Sequence, residues 1–191
     1  GYGSVATIDN GFQTISSGGV GSAGTIGAGL TGAGAGQPVQ VQNGVQVIYS
    51  GGTGTVTNLI ASAVTDYDGT VETMHGMQII ESGVGNVTTL NGGEQLVSGG
   101  TGTVAVLSDG WQLVNSGTGS VATMSGGTQL VSSGMGSVDV MTGGAQMVHS
   151  GGTGTITTMN GGVQQAGEVD LYGTQFAGGV VSVTTMNDGA Q

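Results

Sequence analysis

Residues 92–160 read GGEQLVSGGTGTVAVLS (92–108), DGWQLVNSGTGSVATMS (109–125), GGTQLVSSGMGSVDVMT (126–142) and GGAQMVHSGGTGTITTMN (143–160), four copies of one unit laid end to end. Gln95, Gln112, Gln129 and Gln146 are each 17 positions apart, and Gln164 follows after 18. A unit this short cannot enclose a core of its own. Its apolar residues are buried only if successive copies stack, and a stack of short units is a solenoid.

Each unit holds two short runs separated by Gly and Ser. The first is x-Gln-apolar-Val, as in Trp111-Gln112-Leu113-Val114; the second is Val-x-Thr-Met, as in Val121-Ala122-Thr123-Met124. Neither run has room for a helix, and the glycines between them break helical continuity while favouring turns. Strand, turn, strand, turn is the economical reading. The expected fold is therefore all-β: a parallel β-helix, or β-solenoid, with two strands per 17-residue repeat.

Comparison of the copies assigns faces. The residue before Gln varies freely (Met77, Glu94, Trp111, Thr128, Ala145), as a solvent position would. Two places after Gln stands Val or Ile, as in Ile80, Val97, Val114, Val131 and Val148. Side chains alternate along a strand, so Gln and this Val share the inner face. In the second run the same rule puts Val104 and Val106, Val121 and Thr123, and Val138 and Val140 inside, with Ala105, Ala122, Asp139 and Thr157 outside. Leu107, Met124, Met141 and Met159 break the alternation and are expected at a corner.

Stacking places Gln78, Gln95, Gln112, Gln129, Gln146 and Gln164 above one another about 4.8 Å apart, as a structural ladder. A primary amide carries donors and an acceptor, so a column of them satisfies itself where a lone buried Gln would be costly. About eleven rungs would make a rod roughly 50 Å long. The acids are spread among columns: Glu94 between Met77 and Trp111, Glu72 next to Thr88, and Asp139 between Ala122 and Thr157.

The whole chain, 1–191, reads as one solenoid with irregular stretches near 20–42, 60–70 and 165–180. The first contains GAGLTGAGAG (27–36) and Pro38, expected as a loop or bulge. Regular rungs are expected without a break from Val71 to Gln164. Gly1-Tyr2-Gly3-Ser4-Val5 matches Gly134-Met135-Gly136-Ser137-Val138, and the chain stops at Gln191, both within a unit. With no initiator Met, this is expected to be a segment of a longer array.

Composition narrows the function. There are no Lys or Arg, 11 Asp and Glu, and a formal net charge of −11. No cation is available to neutralise phosphate, so nucleic acid is excluded as a partner, and an anionic membrane surface would repel the chain. No apolar run approaches the length of a membrane helix, so no membrane insertion is expected. Cysteine is absent, which removes disulfides and thiolate metal sites.

Candidate chemistry is sparse. Asp66 and Asp68 form a close acid pair with no Lys or Arg to complete a catalytic cluster, and are read as loop surface. No loop supplies the six or more oxygens calcium needs. His75 in a turn and His149 in a strand fall at different phases of the unit, without an evident metal partner. Phe12, Tyr49, Trp111 and Tyr172 are read as scattered surface aromatics rather than a glycan platform. Thr53-Gly54-Thr55, Thr101-Gly102-Thr103 and Thr153-Gly154-Thr155 have the form of an ice-binding array, but Val84-Gly85-Asn86 and Met135-Gly136-Ser137 interrupt it. The chain is read as a non-enzyme without cofactors.

The signature Gly-Gly-x-Gln-apolar-Val-x-Ser-Gly followed by Gly-Thr-Val-x-x-apolar, seen in GGTQLVSSG with GSVDVM and in GGAQMVHSGG with GTITTM, resembles the AIDA-type strand-loop-strand repeats of self-associating autotransporter adhesin passenger domains. The resemblance implies a right-handed parallel β-helix at the bacterial cell surface, acting in adhesion, aggregation or biofilm, with O-glycosylation of Ser and Thr in some members. The residues themselves suggest a rod whose polar flanks bind a second copy or surface glycans many times over. The alternative is an extracellular filament subunit stacked end to end through incomplete rungs, and ice binding is a weaker third reading.

Overall fold

The computed structural model describes residues 1–9, 11–31, 40–65, 71–149, 151–167 and 178–191. It is an all-β, solenoid-like stack of parallel strands. Two columns of strands run through it. The second-run column contains, in order, Tyr2–Ile8, Val20–Ile26, Thr53–Thr65, Val84–Val97, Thr101–Val114, Thr118–Met124, Met135–Met141, Thr153–Ala166 and Val180–Ala190, each paired in parallel with the next. The Gln column pairs Gln13, Gln46, Gln78, Gln95, Gln112, Gln129, Gln146 and Gln164 residue for residue. Val84–Val97, Thr101–Val114 and Thr153–Ala166 serve both columns, each bending from a second run into the following Gln run.

The interior is a sandwich of three columns. Ile15, Ile48, Ile80, Val97, Val114, Val131 and Val148, the residues two places after Gln, form one apolar cluster as expected. A second cluster holds Val104, Val121 and Val138 with the corner residues Leu107, Met124 and Met141 and their equivalents. Every Gln from Gln46 to Gln164 is buried. The cross-section leaves no room for a side chain opposite them, which explains the glycine that opens the second runs from Gly54 to Gly154. A Cβ on Gly119 would lie 2.3 Å from Val114 Cγ2 and 3.0 Å from Gln112 Oε1. Gly110, two places before Gln112, has a different role: its φ of 90° turns the corner into the Gln run, a conformation that favours glycine.

The facing of the second run differs from simple alternation. Val104 is buried, but Val106 is 38% exposed, Val140 36% exposed and Thr123 also exposed, while Leu107, Met124 and Met141 are fully buried. The ladder pairs Val104 with Val121 and Val106 with Thr123, omitting Ala105 and Ala122. The strand turns its corner at this point, so two successive side chains face out and the next returns inside. The longer Leu and Met side chains fill the corner that results.

The irregular stretches also resolve differently from expectation. Val20–Ile26, assigned to an irregular stretch, is an ordinary member of the second-run column, pairing Ser22 with Ser4 and Thr55. Val71–His75, expected as a rung, is instead the antiparallel partner of the end of Thr53–Thr65, with Ala61 opposite His75 and Val64 opposite Glu72. Glu72 therefore does not stack beside Thr88. A second antiparallel pairing joins Ala28–Thr31 to the start of Gln40–Ile48. Hairpins thus take sequence that a count by length assigns to rungs, and the described residues place nine strands in the second-run column. Pro38, Asp66, Asp68 and Tyr172 lie outside the described residues.

These facings predict unequal costs at adjacent positions. Leu107→Ala should destabilise the chain by about 2–5 kcal/mol through a core cavity, whereas Val106→Ala should change stability by no more than about 0.5 kcal/mol. Urea denaturation of the two variants checks this, and equal losses would restore simple alternation.

Candidate functional site

The buried chemistry of the rod is the amide ladder. Gln129 Nε2 donates to Gln112 Oε1 at 2.6 Å, Gln112 to Gln95 at 2.7 Å, Gln95 to Gln78 at 2.7 Å, and Gln146 and Gln164 continue the series at 2.6 Å. Gln78 donates to Gln46 at 2.7 Å, Gln46 to Gln13 at 2.5 Å, and Gln191 to Gln164 at 3.0 Å, so the chain of bonds is longer than the six residues singled out from sequence. All the bonds point the same way, from each Gln to the one before it. The remaining amide hydrogen is aimed across the interior: Gln129 Nε2 lies 3.3 Å from Gly119 O and 3.4 Å from Ser137 O, carbonyls of the facing column. The ladder thereby joins the two walls of the rod as well as successive rungs. Flanking apolar columns keep water away, which strengthens these bonds and raises the cost of losing one.

A self-satisfied ladder offers nothing to a ligand, so functional chemistry belongs to the outer faces. On the second-run face, one outward position is Ser, Thr or Asn in every described rung from Ser4 to Ser182; it follows a Gly in each rung but the last, where Val181 takes the place of Gly. Thr103 Oγ1 donates to Asn86 Oδ1 at 2.6 Å within this column. Beside it lies a column of small residues that includes Thr88, Ala105, Ala122 and Asp139, the last three outward as expected. Between the two columns runs a shallow trough of about 330 Å³ lined by Asn86, Thr88, Thr103, Ala105, Ser120 and Asp139. The Thr-Gly-Thr triplets align in register with Val84 and Met135, so the interruption of a Thr array read from sequence is present in space.

The Gln face is different in character. Trp111 is 47% exposed and stacks between Glu94 and Thr128, as the variable position should. The residue immediately after Gln also points outward, since Gln and the following Val point in. Val47, Ile79, Leu96, Leu113, Leu130 and Met147 pair in series and are all half-buried, a continuous apolar stripe on the outside of the rod. Sequence reasoning assigned the neighbours of this position and left the position itself unassigned. The signal was present, because alternation that puts Gln112 and Val114 inside forces Leu113 out.

The remaining candidates do not converge. Phe12, 76% exposed, shares the variable column with Trp111 but is separated from it by Val45, Met77 and Glu94, and Tyr49 follows Ile48 at the other edge. His75 closes the hairpin strand Val71–His75 with Nδ1 against the Gly92 carbonyl, and His149 follows the strand Ala145–Val148 at the corner. Among the described residues no three His, Asp or Glu come together as metal ligands, and no helix is long and apolar enough to cross a membrane. No protein-family model matches the chain, and no curated protein or solved structure is similar to it at a significant level.

The ladder makes a two-sided prediction. Gln112→Leu strands the Gln129 donor and the Gln95 acceptor, at about 1–3 kcal/mol for each unsatisfied group. Gln112→Glu adds a pH dependence, because a protonated carboxyl can donate to Gln95 and accept from Gln129, whereas the ionised form has no proton for Gln95 Oε1. Burial raises the folded-state pKa of the introduced carboxyl above its ordinary value near ~4.3, so the variant's deficit should be small in acid and grow as pH rises through and beyond that value. Thermal melts of this variant and the wild type across pH check it; a deficit independent of pH would mean that the ladder tolerates a buried charge.

Proposed function

We propose that this chain is a structural, adhesive protein of the bacterial cell surface that works by self-association along the sides of a β-solenoid, each repeat of about 17 residues forming one two-stranded rung. The observation that supports the reading best is the outward column running from Ser4 to Ser182 without a break in its polarity. Such a column repeats one weak hydrogen-bonding contact every ~4.8 Å. A hydroxyl exchanging water for a partner gains little alone, on the order of 1 kcal/mol, but a rigid array makes many such exchanges after one alignment. Adhesion and aggregation by avidity are what this arrangement suits. Surface glycans, which present hydroxyls of the same kind, are a second class of partner for the column and its trough.

Charge and shape favour the same conclusion. With no Lys or Arg and 11 acids, the chain has no cation with which to bind phosphate or hold a carboxylate substrate. Near-identical rungs present near-identical surfaces, so chemistry that needs one singular cleft has little to build on, whereas association that needs repetition is well supplied. The sequence resemblance to autotransporter passenger repeats points in the same direction and adds the extracellular, bacterial-surface location.

Cells displaying the chain should therefore clump and settle, and cells displaying a variant with Thr103, Ser120 and Ser137 all changed to Asp should settle more slowly, because the carboxylates added to the column of one rod repel those of the rod that faces it. Turbidity of standing cultures measures this. Displayed wild-type chain that leaves cells dispersed would sink the proposal.

A further inference from the structure

We infer that the apolar stripe of the Gln face supplies a second, cohesive contact between two copies of this chain, beside that of the polar column; the inference rests on the self-association reading above and adds a surface to it. Val47, Ile79, Leu96, Leu113, Leu130 and Met147 pair in strict register, each with the next. All six are half-buried, each covered by its neighbours above and below and open toward solvent. Met77 extends the apolar surface on one side, and Trp111 stands nearly half exposed beside Leu113.

Three considerations select a second copy as the occupant. The first is charge. Association of like copies cannot use ion pairs, because the chain has no Lys or Arg. Two copies at −11 repel wherever their acids meet, yet across the residues that flank Gln on this face, from Phe12 to Val163, Glu94 is the one carboxylate. The Gln face is thus where two such rods approach with least repulsion. The second is spacing. Side chains repeating at the strand separation, about 4.8 Å, leave gaps at that same separation, so a second identical stripe shifted by half a rung interdigitates with every gap at once, as facing sheets do in dry zippers. A partner with another period would fit one gap and miss the next.

The third consideration is area. Six rungs give a stripe roughly 25 Å long, and a four-residue strand is roughly 13 Å wide. Two such surfaces together cover about 650 Å², below the ~1,200–2,000 Å² of a stable specific interface. The contact is therefore weak and reversible between two isolated chains, and it becomes cohesive when many rods are held side by side. The closed interface is isologous, the stripe of one copy against the same stripe of the other.

Sedimentation velocity of the 191-residue chain over a range of concentrations, at low salt and at about 0.5 M salt, tests the inference. Reversible association that strengthens with salt is expected, because salt screens the mutual repulsion and leaves apolar burial intact. Leu113→Glu and the milder Leu113→Thr should each shift the association to at least tenfold higher concentration, with circular dichroism unchanged because the position is outside the core. Thr123→Glu on the other flank should not. Because the chain has no cysteine, Leu113→Cys can be cross-linked with a short bismaleimide and should yield covalent dimers, whereas Thr123→Cys should not. Association abolished by Thr123→Glu and retained by both Leu113 variants would overturn the stripe while leaving self-association standing. A wild-type chain monomeric at every concentration and salt would overturn both. Binding of neutral phosphatidylcholine vesicles that Leu113→Glu abolishes, without dimers at any concentration, would assign the stripe to lipid and overturn the inference.

Discussion

A buried amide tolerates no solitary existence in an apolar interior, and the rest of this molecule follows from that constraint. Gln112 is acceptable where it stands because Gln95 lies below and Gln129 above, each at hydrogen-bonding distance. That requirement fixes the register of every rung, since a strand displaced by one residue would put Leu113 into the ladder and Gln112 into solvent. Apolar packing alone would be less exacting, because Val and Leu of neighbouring rungs can slide against one another at modest cost. The two apolar clusters on either side exclude water from the ladder, and the ladder in turn keeps those clusters aligned. Polar specificity and apolar cohesion are thus supplied by different columns of the same thin interior.

The thinness has its own consequences. A Gln side chain reaching toward the opposite wall leaves only a hydrogen atom's room there, so the facing residue is Gly from Gly54 through Gly154. In exchange, the second amide hydrogen reaches a backbone carbonyl on that wall, and the two sheets are joined by hydrogen bonds as well as by packing. A rod so narrow must also turn sharply within each strand. It does so where Ala105, Ala122 and Asp139 drop out of the ladder and Leu107, Met124 and Met141 swing back inside. Insertions are accommodated without loss of the stack: the hairpin Ala61–His75 leaves after one rung, and the chain resumes at Met77 with Gln78 in line above Gln46.

The outside inherits the regularity of the inside. Because every rung repeats the same inward choices, every outward column is a line of equivalent positions, and its chemistry depends on what the repeats have in common there. One face carries hydroxyls and amides throughout, the other a run of six aliphatic or thioether side chains. Acids are dispersed so that Glu94 and Asp139 each have uncharged neighbours in their own columns. Such a surface is suited to contacts that repeat along the rod's length and poorly suited to a singular reaction centre.

The sequence by itself determined the all-β class, the parallel stacking, the burial of Gln with the Val or Ile two places on, and the exposure of Trp111 and Ala122. It could do so because a repeat compares its own copies: positions that vary lie outside the two apolar clusters, and positions that do not are inside or in turns. The same comparison held all that was needed to place Leu113 outside, although the exposed apolar stripe emerges only when the copies are aligned in space. Tertiary structure alone decided where alternation fails. Val106 and Val140 are β-formers that pattern as core, yet the corner of a narrow rod turns them to solvent and takes the next residue inside instead. It also decided that Val71–His75, whose local sequence resembles a second run, pairs backwards with Ala61–Thr65. A strand of four or five residues carries no intrinsic direction. Its pairing is settled by which edge is within reach when the turn closes, and that is a property of the assembled stack rather than of the segment.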